Sequence, residues 1–446
     1  MRLRHLPAAL LLVSFLRCGV GGTGVPPVGG AADPEERRAV GKSLAPAGML
    51  LQREAADKPW KAVAPQEAVF SRDLLLALPG GRAVLKSGDG AVQLELWGNL
   101  PELSPYPVLE SAVVLHANPD FALDFTLDRG RVVLTNQRDK GAARVRIRAH
   151  GETWDVNLAE PGASLALDLY GRWPRGVPFN PDPKAVEKPM ASLGFFVLKG
   201  NVDLKAGAQQ HSLKAPPGPA YFHWSSVTGH DAGPQRQEKL PAWTEPPPAL
   251  VNLEVQHTLD EFARRFKDKS ASEALVELRN AARRLSDEKQ AHLLRNFAVM
   301  GLAALDDLPR LTGLLEDPKA GEARGLVVEA LRHWIGRAPG QDLALYNFLI
   351  EQRKYPKAQA ETVLQLLHSP GEQELNRPIT YDVLLAYLGH EQLAIRELAR
   401  WQLERILPGA RKVGFDAAAP AEQRQKAIRE LRKLVQETLK KPKPEK

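Results

Sequence analysis

Leu123-Asp124-Phe125-Thr126-Leu127, Ala143-Arg144-Val145-Arg146-Ile147-Arg148-Ala149, Trp154-Asp155-Val156-Asn157-Leu158 and Leu165-Ala166-Leu167-Asp168-Leu169 follow one another between Phe121 and Trp173. In each segment apolar residues alternate with small, polar or charged ones. A strand sends successive side chains to opposite faces, so each segment has one face suited to a core and one that is largely polar. Asp128-Arg129-Gly130, Gly151 and Glu160-Pro161-Gly162 punctuate the run as turns, and Val132-Val133-Leu134 adds a short apolar strand. Period-two patterning broken by Gly and Pro predicts an antiparallel sheet buried on one side.

The same texture extends upstream. Trp60 and Val63 lead to Asp73-Leu74-Leu75-Leu76-Ala77-Leu78-Pro79-Gly80, then Ala83-Val84-Leu85, a turn at Ser87-Gly88-Asp89-Gly90, and the alternating Val92, Leu94 and Leu96. Downstream, Phe196-Val197-Leu198-Lys199-Gly200-Asn201-Val202-Asp203-Leu204 reads as a hairpin that Lys205-Ala206-Gly207 continues. A tryptophan, a "D-x-L-x-x-L-P-G" turn, and a later "V-x-x-G-x-V-x-V" run resemble FecR-type domains, the extracytoplasmic sensor modules of ferric-citrate-type regulators. The resemblance covers roughly residues 49–213 and implies a β-sandwich or Greek-key domain outside the cytoplasm. The anti-sigma segment and transmembrane helix that precede this domain in those regulators are replaced here by a leader, so sigma-factor signalling does not carry over.

That leader has a basic start, Arg2, Arg4 and His5, and an apolar run from Leu6 to Leu16. The run is shorter than the roughly 20 residues a membrane-spanning helix needs, and reads as an export signal. The one cysteine of the 446 residues, Cys18, stands where a lipoprotein carries its lipid, although Arg17 replaces the small residue expected before it. Behind the leader no disulfide, thiolate metal site or cysteine nucleophile is available. The net charge of +7 is mild for this length and names no partner.

Residues 215–250 shift in composition. Pro216-Pro217-Gly218-Pro219 and Pro246-Pro247-Pro248 bracket Tyr221-Phe222-His223-Trp224. Proline lacks a ladder donor, so this stretch is expected to wrap the sheet as an aromatic-bearing linker. Beyond it the period becomes helical. Leu259, Phe262 and Phe266 form one stripe, Leu275 and Leu278 another, Leu293, Leu294, Phe297 and Leu302 a third. Helix breaks are predicted at Asp317-Pro318, Ala338-Pro339-Gly340, Ser369-Pro370-Gly371, Gly389 and Pro408-Gly409. Arg324 and Arg396 stand two units of about 36 residues apart, near the length of helix-pair repeats. Arg396-Glu397-Leu398-Ala399-Arg400-Trp401-Gln402-Leu403 resembles a HEAT-type repeat, which implies a superhelix with a concave binding surface; an irregular helical bundle is the alternative.

The expected division is an export signal over 1–18, a disordered linker over 19–48, a FecR-like β domain over 49–214, a Pro-rich wrapping segment over 215–250, a HEAT-like helical domain over 251–440 and a charged tail over 441–446. Each half has its own apolar set, so two separate cores are expected.

Chemical signatures are sparse. The eleven histidines form no His-Glu-x-x-His motif, and Gly41-Lys42-Ser43 lacks the upstream glycine and strand of a phosphate-binding loop. No catalytic residue, metal or cofactor is assigned. Acidic residues such as Asp120, Asp124 and Asp128 are plentiful, and the last two share the outer face of one strand, where they read as solvating charges in preference to a glycosidase pair. Arg144, Arg146 and Arg148 share one strand face, about 7 Å apart, and suit either anion docking or cross-strand pairing with Asp124, Asp128, Asp155 or Asp168. Tyr221, His223 and Trp224 are the candidate ligand contacts, against the alternative of packing on the sheet. The function expected is that of an exported binding protein of the periplasm or cell envelope. Its partner is a protein or envelope component and not nucleic acid, with membrane attachment only through the leader or a lipidated Cys18. The alternative is an envelope enzyme acting on glycan between the domains.

Overall fold

The computed structural model describes residues 36–44, 50–101, 103, 109–230, 233–245 and 249–440. The leader, Cys18 and the charged tail lie outside them. Seventeen described strands form one hydrogen-bonded network, followed by the helices.

The strands are β1 (Ala39–Ser43), β2 (Leu50–Arg53), β3 (Lys61–Ala62), β4 (Ala68–Phe70), β5 (Leu74–Ala77), β6 (Arg82–Ser87), β7 (Val92–Trp97), β8 (Ser111–His116) and β9 (Leu123–Asn136). They continue as β10 (Ala143–Ala149), β11 (Glu152–Leu158), β12 (Ser164–Arg172), β13 (Met190–Lys199), β14 (Asn201–Ala206), β15 (Gln209–Lys214), β16 (Tyr221–Ser225) and β17 (Gly229–His230). One sheet runs β4-β1-β6-β7-β9-β12-β13-β16-β17. The other runs β3-β2-β5-β8-β9-β10-β11-β14-β15, with β9–β10 the one parallel pairing among the described strands. The two pack face to face: Trp154 of β11 meets Phe195 of β13 at 5.5 Å and Trp224 of β16 at 5.8 Å between ring centres.

Strand β9 belongs to both sheets. Its first half pairs with β8 and β10, its second with β7 and β12. The Asp128-Arg129-Gly130 turn expected from sequence is instead a bulge inside this strand. Val113 faces Leu127 while its neighbour Ala112 faces Arg129, leaving Asp128 as the extra residue. Gly130 has φ +91°, and a Cβ there would lie 2.2 Å from the Glu110 carbonyl oxygen. Only glycine lets the strand cross from one sheet to the other at this point.

The predicted alternation holds along β10 and β11. Ala143, Val145, Ile147, Ala149, Trp154, Val156 and Leu158 are buried, and the arginines between them face outward. His150-Gly151, both at positive φ, close the two-residue hairpin turn.

Three further expectations from the sequence differ from the structure. The sheet starts before residue 49: Ala39–Ser43 is a strand between β4 and β6, and Gly41 lets it lie close to the Lys86 carbonyl. Part of the expected 19–48 linker is therefore sheet, made so by backbone pairing that its Gly- and Ala-rich composition conceals. Lys199-Gly200 does not close a hairpin. β13 and β14 lie in different sheets, and the hairpin is β14–β15. Finally, Tyr221–Ser225 is a regular strand against β13. Pro216, Pro217 and Pro219 lie between β15 and β16, outside the ladder, where they remove no donor from it, and Pro246-Pro247-Pro248 lie outside the described residues.

The helices are α1 (Ala249–Phe266), α2 (Ala271–Ala282), α3 (Glu288–Ala304), α4 (Leu308–Glu316), α5 (Ala323–Gly336), α6 (Gln341–Glu351), α7 (Lys357–Leu367), α8 (Glu372–Leu375), α9 (Pro378–Tyr387), α10 (Leu393–Ile406) and α11 (Ala421–Lys440). The five predicted breaks fall between helices. Arg324 and Arg396 occupy equivalent places. Arg324 donates to the Asp317 and Pro318 carbonyls after α4, and Arg396 to the His390 and Glu391 carbonyls after α9. Each satisfies carbonyls in the turn that follows a helix, where the backbone has lost its helical partners.

Ile147→Asp should unfold the sheet region, because a carboxylate would enter the core against a net stability of about 5–15 kcal/mol. Arg146→Asp should lower the melting temperature only slightly, since it forfeits a surface pair worth about 0.2–1 kcal/mol. Thermal melts followed by circular dichroism check both, and equal melting temperatures would mean that this register is wrong.

Candidate functional site

The expectation of two separate cores is not met. A single cluster of buried apolar side chains runs from Leu50 in the sheets through Val255 and Leu259 of α1 to Val435 of α11. Two mechanisms join the halves. The first is close backbone approach. A Cβ on Gly171 of β12 would lie 2.3 Å from the Gly336 carbonyl oxygen at the end of α5, and one on Gly176 would lie 3.1 Å from the Gly371 Cα. Gly176 N–H donates to the Ser369 carbonyl at 2.9 Å, and the Trp173 indole to the Ile335 carbonyl at 3.0 Å.

The second is a buried ion network. Glu110, fully buried beside β8, accepts from Arg129 Nε at 2.8 Å and lies 2.5 Å from Arg337 Nη2. His333 Nε2 is 3.3 Å from its other oxygen. Arg337 reaches on to Asp306 and the Ala303 carbonyl, and Arg129 to the Ala304 carbonyl. Burial alone would raise the Glu110 carboxyl; Arg337, His333 and Arg129 together hold it well below the usual carboxylate range.

Beside this junction the halves part to leave a cleft of about 600 Å³. Tyr170, Gly171, Arg172, Trp173 and Arg175 line it from the sheet side. Glu329, Arg332 and His333 of α5, Ser369 and Pro370 after α7, and Trp401, Gln402 and Arg405 of α10 line it from the helical side. Arg332 donates to the Leu367 carbonyl, the last of α7, and to Ser369 Oγ at 2.7 Å. The Arg332 and Arg405 guanidinium carbons lie 4.6 and 4.0 Å from the ring centre of the same indole, Trp401. Glu329 is the only carboxylate among the described lining residues, and it already accepts from Arg405 at 2.9 Å. Burial pushes the Arg332 guanidinium down to about 10, and the neighbouring charges of Arg405 and Arg175 push the same way.

The residues singled out from sequence lie elsewhere. Arg146 makes two bonds to Asp155, at 2.7 and 2.9 Å, and Arg148 two to Asp124, at 3.0 and 2.8 Å. Both guanidinium groups are thus engaged in cross-strand pairs. Asp124 is itself buried and not a solvating surface charge. Arg144 lies over the Phe121 ring at 4.7 Å and lines a polar hollow with Arg38, Arg138, Asp89 and Asp120, where charges of both signs mix.

Strand alternation separates Tyr221, His223 and Trp224. Trp224 faces the core, against Trp154. Tyr221 and His223 face outward. Tyr221 stacks on Phe196 at 4.8 Å, and His223 bonds Ser192 Oγ at 2.8 Å. They form part of an outer aromatic patch that Trp243 covers. The three are not brought together as one site.

The cleft residues were not distinguishable in the sequence. Arg332, Trp401 and Arg405 sit at ordinary helical positions, and only the packing of α5 against α10 and β12 brings them together. Among the described residues, no three His, Cys, Asp or Glu side chains are placed to hold a metal ion. No described helix is long and apolar enough to cross a membrane. No protein-family model matches the chain, and no curated protein matches it.

Glu110→Ala should destabilise the whole chain by about 3 kcal/mol, because Arg337 and Arg129 would keep only Asp306 and Asp128 and lose the buried carboxylate they share; denaturant unfolding measures it. His368 gives a pH prediction. It is buried between Trp173 and Phe179, its Nδ1 2.9 Å from the Val177 carbonyl, and burial pushes its pKa down to about 4. Between the ordinary value near 6.5 and about 4, the unfolded chain binds a proton that the folded chain does not. Stability should therefore fall as pH falls through that window, by about 1.4 kcal/mol per pH unit. Unfolding free energies of the native chain and His368→Gln, from denaturant titrations across pH 4–7, should show the mutant's slope reduced by that amount.

Proposed function

We propose that the chain is an exported cell-envelope binding protein whose recognition site is the cleft between sheet and helices. The observation that carries this is the cleft itself: both halves line it, and close backbone contacts and a buried ion network tie those halves together beside it. Ligand sites favour such junctions between packed units. The FecR-type motifs support an extracytoplasmic role. The equivalent arginines at Arg324 and Arg396 support a HEAT-like kinship of the helix pairs. Glycan cleavage at this place is the weaker reading. It needs two carboxylates about 5–10 Å apart, whereas Glu329 is the one carboxylate among the described lining residues, and it is already paired with Arg405.

Hydrogen exchange of the full chain, with and without components of a cell-envelope extract, tests the proposal. Protection concentrated at residues 170–175, 329–335, 367–375 and 401–406 is the expected outcome. Protection confined to the outer sheet faces or to α11 would refute it, and turnover of glycan abolished by Glu329→Gln would favour the enzyme.

A further inference from the structure

The charges around the cleft do not balance. Arg172, Arg175, Arg332 and Arg405 line it, and Glu329 is the one carboxylate among the described lining residues. Glu329 accepts from Arg405. Among the described residues no carboxylate lies at bonding distance from Arg332; it leans on the Leu367 carbonyl, Ser369 Oγ and the Trp401 ring. The carbonyl end of α7 offers it about half an elementary negative charge. That leaves more than two positive charges unmatched in a partly enclosed cleft. The most deeply buried described arginines are matched: Arg337 by Glu110 and Asp306, Arg324 by Glu397 and Asp416, and Arg131 by Asp168, whereas half-buried Arg396, like Arg332, leans on carbonyls.

The arginines are also held in place. Trp401, itself buried, lies against both Arg332 and Arg405; a guanidinium has five N–H donors, of which Arg332 gives one to the Leu367 carbonyl and one to Ser369 Oγ and Arg405 one to Glu329, so each keeps donors for a further partner. Ser369, which fixes Arg332, is anchored in turn by the Gly176 N–H. Like charges gathered this way repel each other until an anion enters, so the site gains more from an oxyanion than isolated surface arginines would.

We infer that the cleft binds a small oxyanion-bearing ligand, its phosphate or carboxylate held by Arg332 and Arg405 with Arg172 and Arg175 at the mouth. This rests on the cleft being the recognition site. Trp401 acts as a positioning residue.

Calorimetric titration of the full chain with sodium phosphate and with succinate at low ionic strength, glucose serving as a neutral control, tests it. At least one anion should bind, and phosphate binding tighter than succinate, or the reverse, identifies which source of oxyanion the site prefers. Arg332→Gln and Arg405→Gln should each weaken binding about tenfold. Glu329→Gln, which releases Arg405, should tighten it severalfold, a response that a purely structural role would not produce. Arg144→Gln, on the outer sheet face, should change nothing. If Arg332→Gln does not fold, Arg172→Gln and Arg405→Gln, both at exposed positions, carry the test. Anion binding indifferent to all these substitutions means an adventitious ion only and overturns the inference. Protection of the cleft by glucose, with neither anion binding, would overturn the ligand class but leave the cleft as the recognition site. Hydrogen-exchange protection by envelope components that avoids the cleft would remove both.

Discussion

A single strand that pairs in two sheets is the constraint on which the rest of this molecule depends. β9 runs from β8 and β10 into β7 and β12, so neither sheet is complete without it. A straight strand cannot serve two packed sheets; it must bend where it leaves one for the other. The bulge at Asp128 and the positive φ of Gly130 supply that bend. They also aim Arg129 out of the corner toward Glu110 and the end of α3. The device that joins the sheets thus also begins the bond between sheets and helices.

That bond combines two kinds of contact with different physical character. The Gly171–Gly336 approach brings backbone to backbone, where any larger residue would separate the two elements. The Glu110 network places one carboxylate among two arginines and a histidine away from water. Desolvating such a group costs much of what its pairing returns, so its value lies less in net stability than in fixing one arrangement of the halves. α1 adds to this by packing Val255 against the Gly80 turn, which a side chain would obstruct. Two halves so fixed give the cleft walls of defined spacing, and two of its arginines, Arg332 and Arg405, are held against Trp401 before any ligand arrives. Preorganised donors bind anions with less ordering cost than mobile surface side chains.

Much of the architecture follows from chemistry visible along the chain. Alternation marks β10, β11 and β12, and glycines and prolines mark most of their ends, because side-chain period and backbone conformation are local properties. The helical stripes and the breaks at Asp317-Pro318, Ser369-Pro370-Gly371 and Pro408-Gly409 are equally local. Even the pairing of Arg146 with Asp155 was among the readings that strand alternation allowed.

Three things were decided only by tertiary structure. Asp128-Arg129-Gly130 has the composition of a turn, and it is a bulge because two sheets claim the strand on either side of it. Tyr221, His223 and Trp224 are neighbours in sequence but not on one surface, since β13 holds them as a strand and strands alternate. The cleft arginines come from β12, the loop after it, α5 and α10, and nothing near any one of them in sequence marks it. Local sequence determines which face of an element is apolar; which polar faces meet depends on how distant elements pack, and that is where the candidate site of this protein was made.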